Sequence, residues 1–412
     1  MSTIDDIHGF GEQFTNQLQR LEEADIDEAD RKAIRSFIRH QDVQRGLAAS
    51  TLVNNLSHLR LSAQRSDTPL TEMDREDVDG LLFRYKHERE YSEGTLRNYR
   101  KAFRKFFRYR GHDWAESIEI GSVPKREVNA DKVLSKDDIT ALRDAARNPR
   151  DKALIEMLVD TGLRIGALGS LRVGDVQIGH RAGVVKLNED AAGRKGASGK
   201  LPITYSKPYV ANWLDVHPRP DDPEAPLFHT FKREDDEQYG DGSLTYYQLQ
   251  RRLKRLADDA GVDRDKVNPH NFRKTAITRW IRQGFSEQEI KHRATWVKDS
   301  RQFETYSQVT DEEMNQQILA KSGLAEQDAD HAPELDKCPQ CQSALQDDPQ
   351  FCPGCGLALN QRAALNLEKA EDDLFEDMAE TTDSDQIEML RDLRALLKEN
   401  PEALSGALST GE

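Results

Sequence analysis

Residues 161–176 read TGLRIGALGSLRVGDV, and this stretch decides how the chain is parsed. It follows an apolar run at helical spacing, DKALIEMLVD at 151–160. The stretch from LSKDDIT (134–140) through LRVGDV (171–176) reads as helix, loop, helix, turn, helix. Arg164 therefore sits in a tight turn between two helices, a cation in an otherwise apolar neighbourhood.

Downstream, GVVKLNE (183–189) and KLPITY (200–205) read as two short strands. The polar loop between them, DAAGRKGASG, holds Lys195, and Lys200 stands at its end. Helices resume at YQLQRRLKRLADDAG (247–261), NPHNFRKTAITRWIRQG (268–284) and SEQEIKHR (286–293). In HNFRKT, His270 and Arg273 are three apart, so they share a helical face. In TWVKDSRQFETY (295–306), Trp296 precedes Tyr306 by ten residues. Taken alone, Tyr306 reads as a packing residue with a wet hydroxyl.

Upstream, residues 1–112 read as helices. RKAIRSFIRHQDVQRG (31–46) is amphipathic and stops at Gly46; STLVNNLSHLRLSA (50–63) follows, and TEMDREDVDGLLFRY (71–85) opens on an S/T-x-x-D cap pattern at Thr71. YSEGTLRNYRKAFRKFFRYRG (91–111) interleaves Tyr99, Phe103, Phe106 and Phe107 with Arg97, Arg100, Lys101, Arg104, Lys105 and Arg108. On a helix the rings face a core and the cations form a stripe. That stripe is either a solvated face or a surface for DNA phosphates. Residues 113–130 lack periodicity and are expected to be a linker.

The chain has 412 residues and a formal net charge of −15, which does not suit a nucleic-acid protein unless the charge is unevenly placed. It is: residues 331–412 hold 18 acidic and 6 basic residues, and the remainder holds 56 acidic and 53 basic. An acidic, Lys-poor surface fits either a salt-adapted organism or an ordinary solvated tail. No apolar run is long enough to cross a bilayer, and MSTIDDIHGF lacks the features of a signal peptide. A cytoplasmic protein with no membrane partner is expected.

All four cysteines lie in CPQC and CPGCG, as Cys338, Cys341, Cys352 and Cys355, with ten residues between the pairs. Four thiolates at this spacing suit one tetrahedral structural Zn²⁺, and no thioredoxin-like setting supports a redox reading. The unit has no basic residue between its first and last cysteines, which favours a folding or protein-contact role over a phosphate grip.

The ordered set Arg164, Lys195, His270-x-x-Arg273, Trp296, Tyr306 resembles the tyrosine recombinase (phage integrase) family, across roughly residues 28–315. The appended cysteine unit resembles the zinc ribbon that follows some archaeal members. The resemblance implies a mainly α protein: an N-terminal helical core-binding domain (1–112), the linker (113–130), and an α-rich catalytic domain with a small antiparallel, three-stranded sheet (131–325); a polar second linker (326–336), the zinc ribbon (337–360) and an acidic tail with apolar residues at helical spacing (361–412) are expected to follow. It implies that Tyr306 attacks a phosphodiester and becomes a 3′-phosphotyrosyl link, with no metal or ATP needed for the chemistry. Arg164 and Arg273 would grip the phosphate, His270 and Trp296 would donate hydrogen bonds or move a proton, and Lys195 would protonate the leaving 5′ oxygen. Lys200 is a rival for that last role, and His292 a lesser rival to Trp296. Arg97, Arg100, Lys101, Arg104 and Arg108 would contact DNA. Partners would be double-stranded DNA with a specific recombination site and other protomers, as a tetramer on two duplexes. One departure stands out: family members often carry an acidic residue three after the first arginine, where this chain has Ala167. Site-specific recombination is the leading reading, whether integration, excision or inversion. A type IB topoisomerase and a non-catalytic DNA-binding regulator are the alternatives.

Overall fold

The structure is a computed structural model. It describes residues 3–122, 132–179, 183–193, 196–231 and 241–296, with 300, 303, 315, 318–319 and 322, then 337–338, 341, 343–345, 350–357 and 359 around the cysteines, and 386 and 389–392. Contacts divide the chain into two compact units, Met1–Glu127 with Asp190–Lys195, and Val128–Glu189 with Gly196–Glu412.

The first unit is helical: α1 (Phe10–Glu22), α2 (Glu28–Arg39), α3 (Ala49–Ala63), α4 (Arg75–His87) and α5 (Glu93–Tyr109). Leu96, Tyr99, Phe103, Phe106 and Phe107 of α5 are buried against Phe37, Leu56, Leu59 and Tyr85, so the aromatic face of the stripe helix is the core. Phe37 and Phe106 meet edge to face at 5.5 Å, a favoured ring geometry. The cap of α4 is Asp74, in a reciprocal box with Asp77, rather than Thr71. Thr71 instead donates its amide (2.8 Å) and its hydroxyl (2.9 Å) to the buried Asp30 carboxylate. The expected linker starts later than residue 113: Asp113–Ser117 forms a helical turn, and Ala115 and Ile118 join the core. A short amphipathic turn with only two buried apolar residues carries too little periodicity to be seen in the sequence.

The second unit opens with α6 (Lys136–Ala145), α7 (Pro149–Thr161) and α8 (Ile165–Gly169). A sheet of β1 (Val176–Ile178), β2 (Gly183–Lys186) and β3 (Lys200–Ile203) follows, in the order β1-β2-β3. Both pairings are antiparallel, with Val176 opposite Val185 and Lys186 opposite Lys200. Then come α9 (Lys207–Leu214), α10 (Tyr246–Ala260), α11 (Pro269–Arg282) and α12 (Glu287–Arg293). Helix α7 is buried on all sides from Ala153 to Thr161, which makes it the central helix. Its start is fixed by the Asn148 cap and Pro149 at the first position. Asn268 and Pro269 repeat that device on α11, and Ser286 with Glu289 boxes the start of α12. Among the described residues no helix is long and apolar enough to cross a membrane.

Candidate active site

The site is built around the end of α7. Gly162 has φ +56°, and a Cβ there would lie 2.9 Å from both Ala276 Cβ and Trp280 Cη2 of α11. Only glycine combines that conformation with so close an approach. The packed turn presents Arg164, half-buried, as the residue that leads into α8. Arg273, one turn into α11 and 4% exposed, donates from Nη1 to the Gly162 carbonyl at 2.8 Å. The segments that carry the two arginines are thereby tied to each other.

Trp296 reaches the same place by a different turn. Helix α12 ends with the amide of Thr295 donating to His292 O (3.0 Å) and that of Trp296 donating to Lys291 O (2.9 Å). This is the paired hydrogen bonding of a Schellman ending. Thr295 takes the left-handed position, φ +52°, which a β-branched residue occupies only under strain. Arg273 Nη2 donates to Ala294 O at 2.6 Å, and its guanidinium lies 5.7 Å from the centroid of the Trp296 ring. Trp296 is buried, at 9% exposure.

His270 lies in the first turn of α11, exposed, on the Arg273 side of the helix. Lys200 is exposed at the start of β3, and His292 is exposed on α12. Ala167 is buried in α8. Lys195 and Tyr306 lie outside the described residues. One residue went unnoticed in the sequence: Asp160, 1% exposed at the end of α7, which accepts hydrogen bonds from Thr204, Ser206 and Arg293. The signal was a carboxylate closing an apolar helical run.

The stripe on α5 is shielded. Glu116 pairs with both Arg104 and Arg108, Glu93 pairs with Arg100, and Arg97 Nε donates to Gly121 O at 3.3 Å. Hydrogen bonds from Arg108 and Arg104 hold the Glu116 carboxyl below its usual range, and the Arg100 hydrogen bond does the same for Glu93. Burial, then Arg97 and Lys105, lower the Lys101 pKa.

The four cysteine sulfurs lie within 4.8 Å of one another, a cluster suited to a metal ion. Cys338 and Cys355 Sγ are 3.5 Å apart, and Cys341 and Cys352 Sγ 3.4 Å. Bonds of about 2.3 Å to a tetrahedral ion imply sulfur separations of about 3.8 Å, so the donor set fits. Burial raises the Cys341 thiol, but the Ser343 hydroxyl and amide outweigh it and bring the pKa to about 6, toward the ligating thiolate. Tyr205 packs against Cys338, Cys352 and Leu359.

The chain matches the family described as "Phage integrase family" over residues 132–313. It is 26% identical over 265 residues to tyrosine recombinase XerD of Listeria monocytogenes serotype 4b (strain F2365), covering 61% of this chain and 85% of that protein. It is 24% identical over 278 residues to tyrosine recombinase XerC of Herpetosiphon aurantiacus, covering 63% and 84%. A solved structure of XerH recombinase bound to difH aligns with a TM-score of 0.49 at 13% identity, over 77% of this chain and 97% of that one.

Proposed function

We propose that this protein is a site-specific DNA recombinase that cuts and rejoins duplex DNA through a 3′-phosphotyrosyl intermediate. The observation that carries the reading is Arg273, which ties the Arg164 turn to the Trp296 turn through two carbonyl hydrogen bonds. A transferring phosphoryl group spreads negative charge over its oxygens, and fixed guanidinium forks stabilise that charge without reorganising. Arg164 and Arg273 take the non-bridging oxygens, and His270 and the Trp296 indole N–H donate to the same centre. A tyrosine hydroxyl, with an intrinsic pKa of about 10, needs such help at neutral pH.

The Tyr306 oxygen attacks phosphorus and loses its proton toward His270. The P–O5′ bond breaks, and Lys195, with Lys200 as the alternative donor, protonates the departing oxygen. Attack by a second 5′ hydroxyl reverses the step on another strand, so no bond energy is lost and no ATP or catalytic metal enters. The helical unit and the α5 stripe (Arg97, Arg100, Lys101, Arg104, Arg108) hold DNA, and residues 131–325 carry the chemistry. One Zn²⁺ held by Cys338, Cys341, Cys352 and Cys355 folds the ribbon over 337–360. The enzyme works in the cytoplasm as several protomers on paired recombination sites.

The test is covalent capture. Nicked duplexes drawn from a random-sequence pool are incubated with wild-type protein, and adducts are recovered under denaturing conditions and mapped by mass spectrometry. An adduct on Tyr306, absent from Tyr306→Phe, is expected. An adduct on Tyr246 or Tyr247, or cleavage that needs added Mg²⁺, refutes the reading. Relaxation of supercoiled DNA without any preferred sequence points to a topoisomerase instead.

A further inference from the structure

We infer that Asp160 is a positioning residue for strand cleavage: its carboxylate ties together three segments that carry candidate groups, those of Arg164, Lys200 and Trp296. This rests on the recombinase reading above. Asp160 is 1% exposed, and its two oxygens accept five hydrogen bonds. Oδ2 takes the amides of Thr204 (2.6 Å) and Ser206 (3.1 Å) and the Ser206 hydroxyl (2.8 Å). Oδ1 takes the Thr204 hydroxyl (2.8 Å) and Arg293 Nη2 (3.1 Å). A carboxylate this deep is tolerable only when paired and fully hydrogen-bonded, and here it is both.

The partners give the bracket its meaning. Asp160 is two residues before Gly162 and four before Arg164. Thr204 directly follows β3, the strand that begins with Lys200, and Arg293 is the last residue of α12, three before Trp296. Arg293 Nη2 also donates to the Asp160 carbonyl at 3.0 Å. A second cross-tie runs beside it, Arg273 from Gly162 O to Ala294 O. The α7 end and the α12 end are thus stapled twice, at 160–293 and at 162–294. Only the Asp160 tie also reaches the sheet. The cation that answers Asp160 is itself fixed: Arg293 lies 4.7 Å from the Trp280 ring centroid and 5.5 Å from that of Phe285. Arg279, whose charge is coupled to Asp160, donates to Val159 O at 2.8 Å. A catalytic group displaced by about 1 Å can slow a reaction about a hundredfold. A rigid bracket between these segments guards against that shift.

The full-length chain is assayed with the duplexes captured by wild-type protein. Single-turnover adduct formation gives a rate constant and an amplitude, and fluorescence anisotropy gives the affinity for the same duplex. Asp160→Asn is expected to lower the rate constant about a hundredfold, with affinity within about threefold and amplitude unchanged. Thr204→Val combined with Ser206→Ala keeps the carboxylate and the Arg293 pair but removes two hydroxyl donors, and about a tenfold slowing is expected. This variant decides the matter if Asp160→Asn does not fold. Amide exchange at 294–296 and 204–206 should quicken in both variants. A wild-type rate constant in both variants overturns the proposal. So does a loss confined to amplitude, because fewer folded molecules mean a stabilising role only. If wild-type protein captures no DNA at all, the recombinase reading itself has failed.

Discussion

Arg273 and Gly162 are joined by a 2.8 Å hydrogen bond from guanidinium to carbonyl, across 111 residues of sequence. This bond ties together two separate motifs, TGLR and HNFR. It also orients the Arg273 fork, since Nη2 is held at the same time by Ala294.

Arg273→Lys keeps the charge but cannot span both carbonyls or present a planar fork. Cleavage is expected to fall by about 10²–10³, the usual loss when one fixed donor to a developing oxyanion is removed. DNA affinity should change little. Single-turnover adduct formation and anisotropy on the same protein check this.

Gly162→Ala should destabilise the catalytic unit strongly. The left-handed backbone costs a non-glycine residue about 1–2 kcal/mol. Overpacking against Ala276 and Trp280 adds about 1–3 kcal/mol. Thr295→Gly is the converse: relief of about 1–2 kcal/mol at φ +52° is offset by the extra chain entropy of glycine, about 0.5–1 kcal/mol. Urea unfolding should show a large loss in the first variant and no loss in the second.

Glu116→Gln uncovers Arg104 and Arg108. Affinity for any duplex should rise and its salt dependence steepen, because more phosphates are neutralised. Thermal stability should not move, since exposed pairs contribute little. Arg100→Glu with Arg104→Glu should do the opposite to affinity. The pH sign follows from the lowered carboxyl pKa values of Glu116 and Glu93: their pairing is complete above the ordinary carboxylate pKa and is lost only as pH falls through the lowered values. The shield therefore stays charged at neutral pH, and titrating DNA binding from pH 8 to 6 should reveal no step from it.

Cys338→Ser removes one donor from a closed four-sulfur set. Bound zinc, measured by plasma emission on dialysed protein, should drop from about one equivalent to near none. Limited proteolysis should then cut within 338–355, where the wild type resists. Undiminished zinc in the variant would place the ion elsewhere.

Legible in the sequence were the helices of the first unit, most of those in the second, β2 and β3 but neither β1 nor α9, the paired cysteines and the order of the candidate catalytic residues. Those features are local: apolar spacing and two C-x-x-C pairs at fixed separation. Only the tertiary structure decided what each charge is paired with. Nothing in the spacing of α5 says that Glu93 and Glu116 cover its arginines, because Glu116 arrives on a short helical turn after the helix has ended. Nothing in VDTGLR says that Asp160 will meet Thr204, Ser206 and Arg293, which are 44 to 133 residues away. The physical reason is that periodicity reports which face of an element is buried, whereas a buried charge takes its partners from whatever elements the fold packs against it.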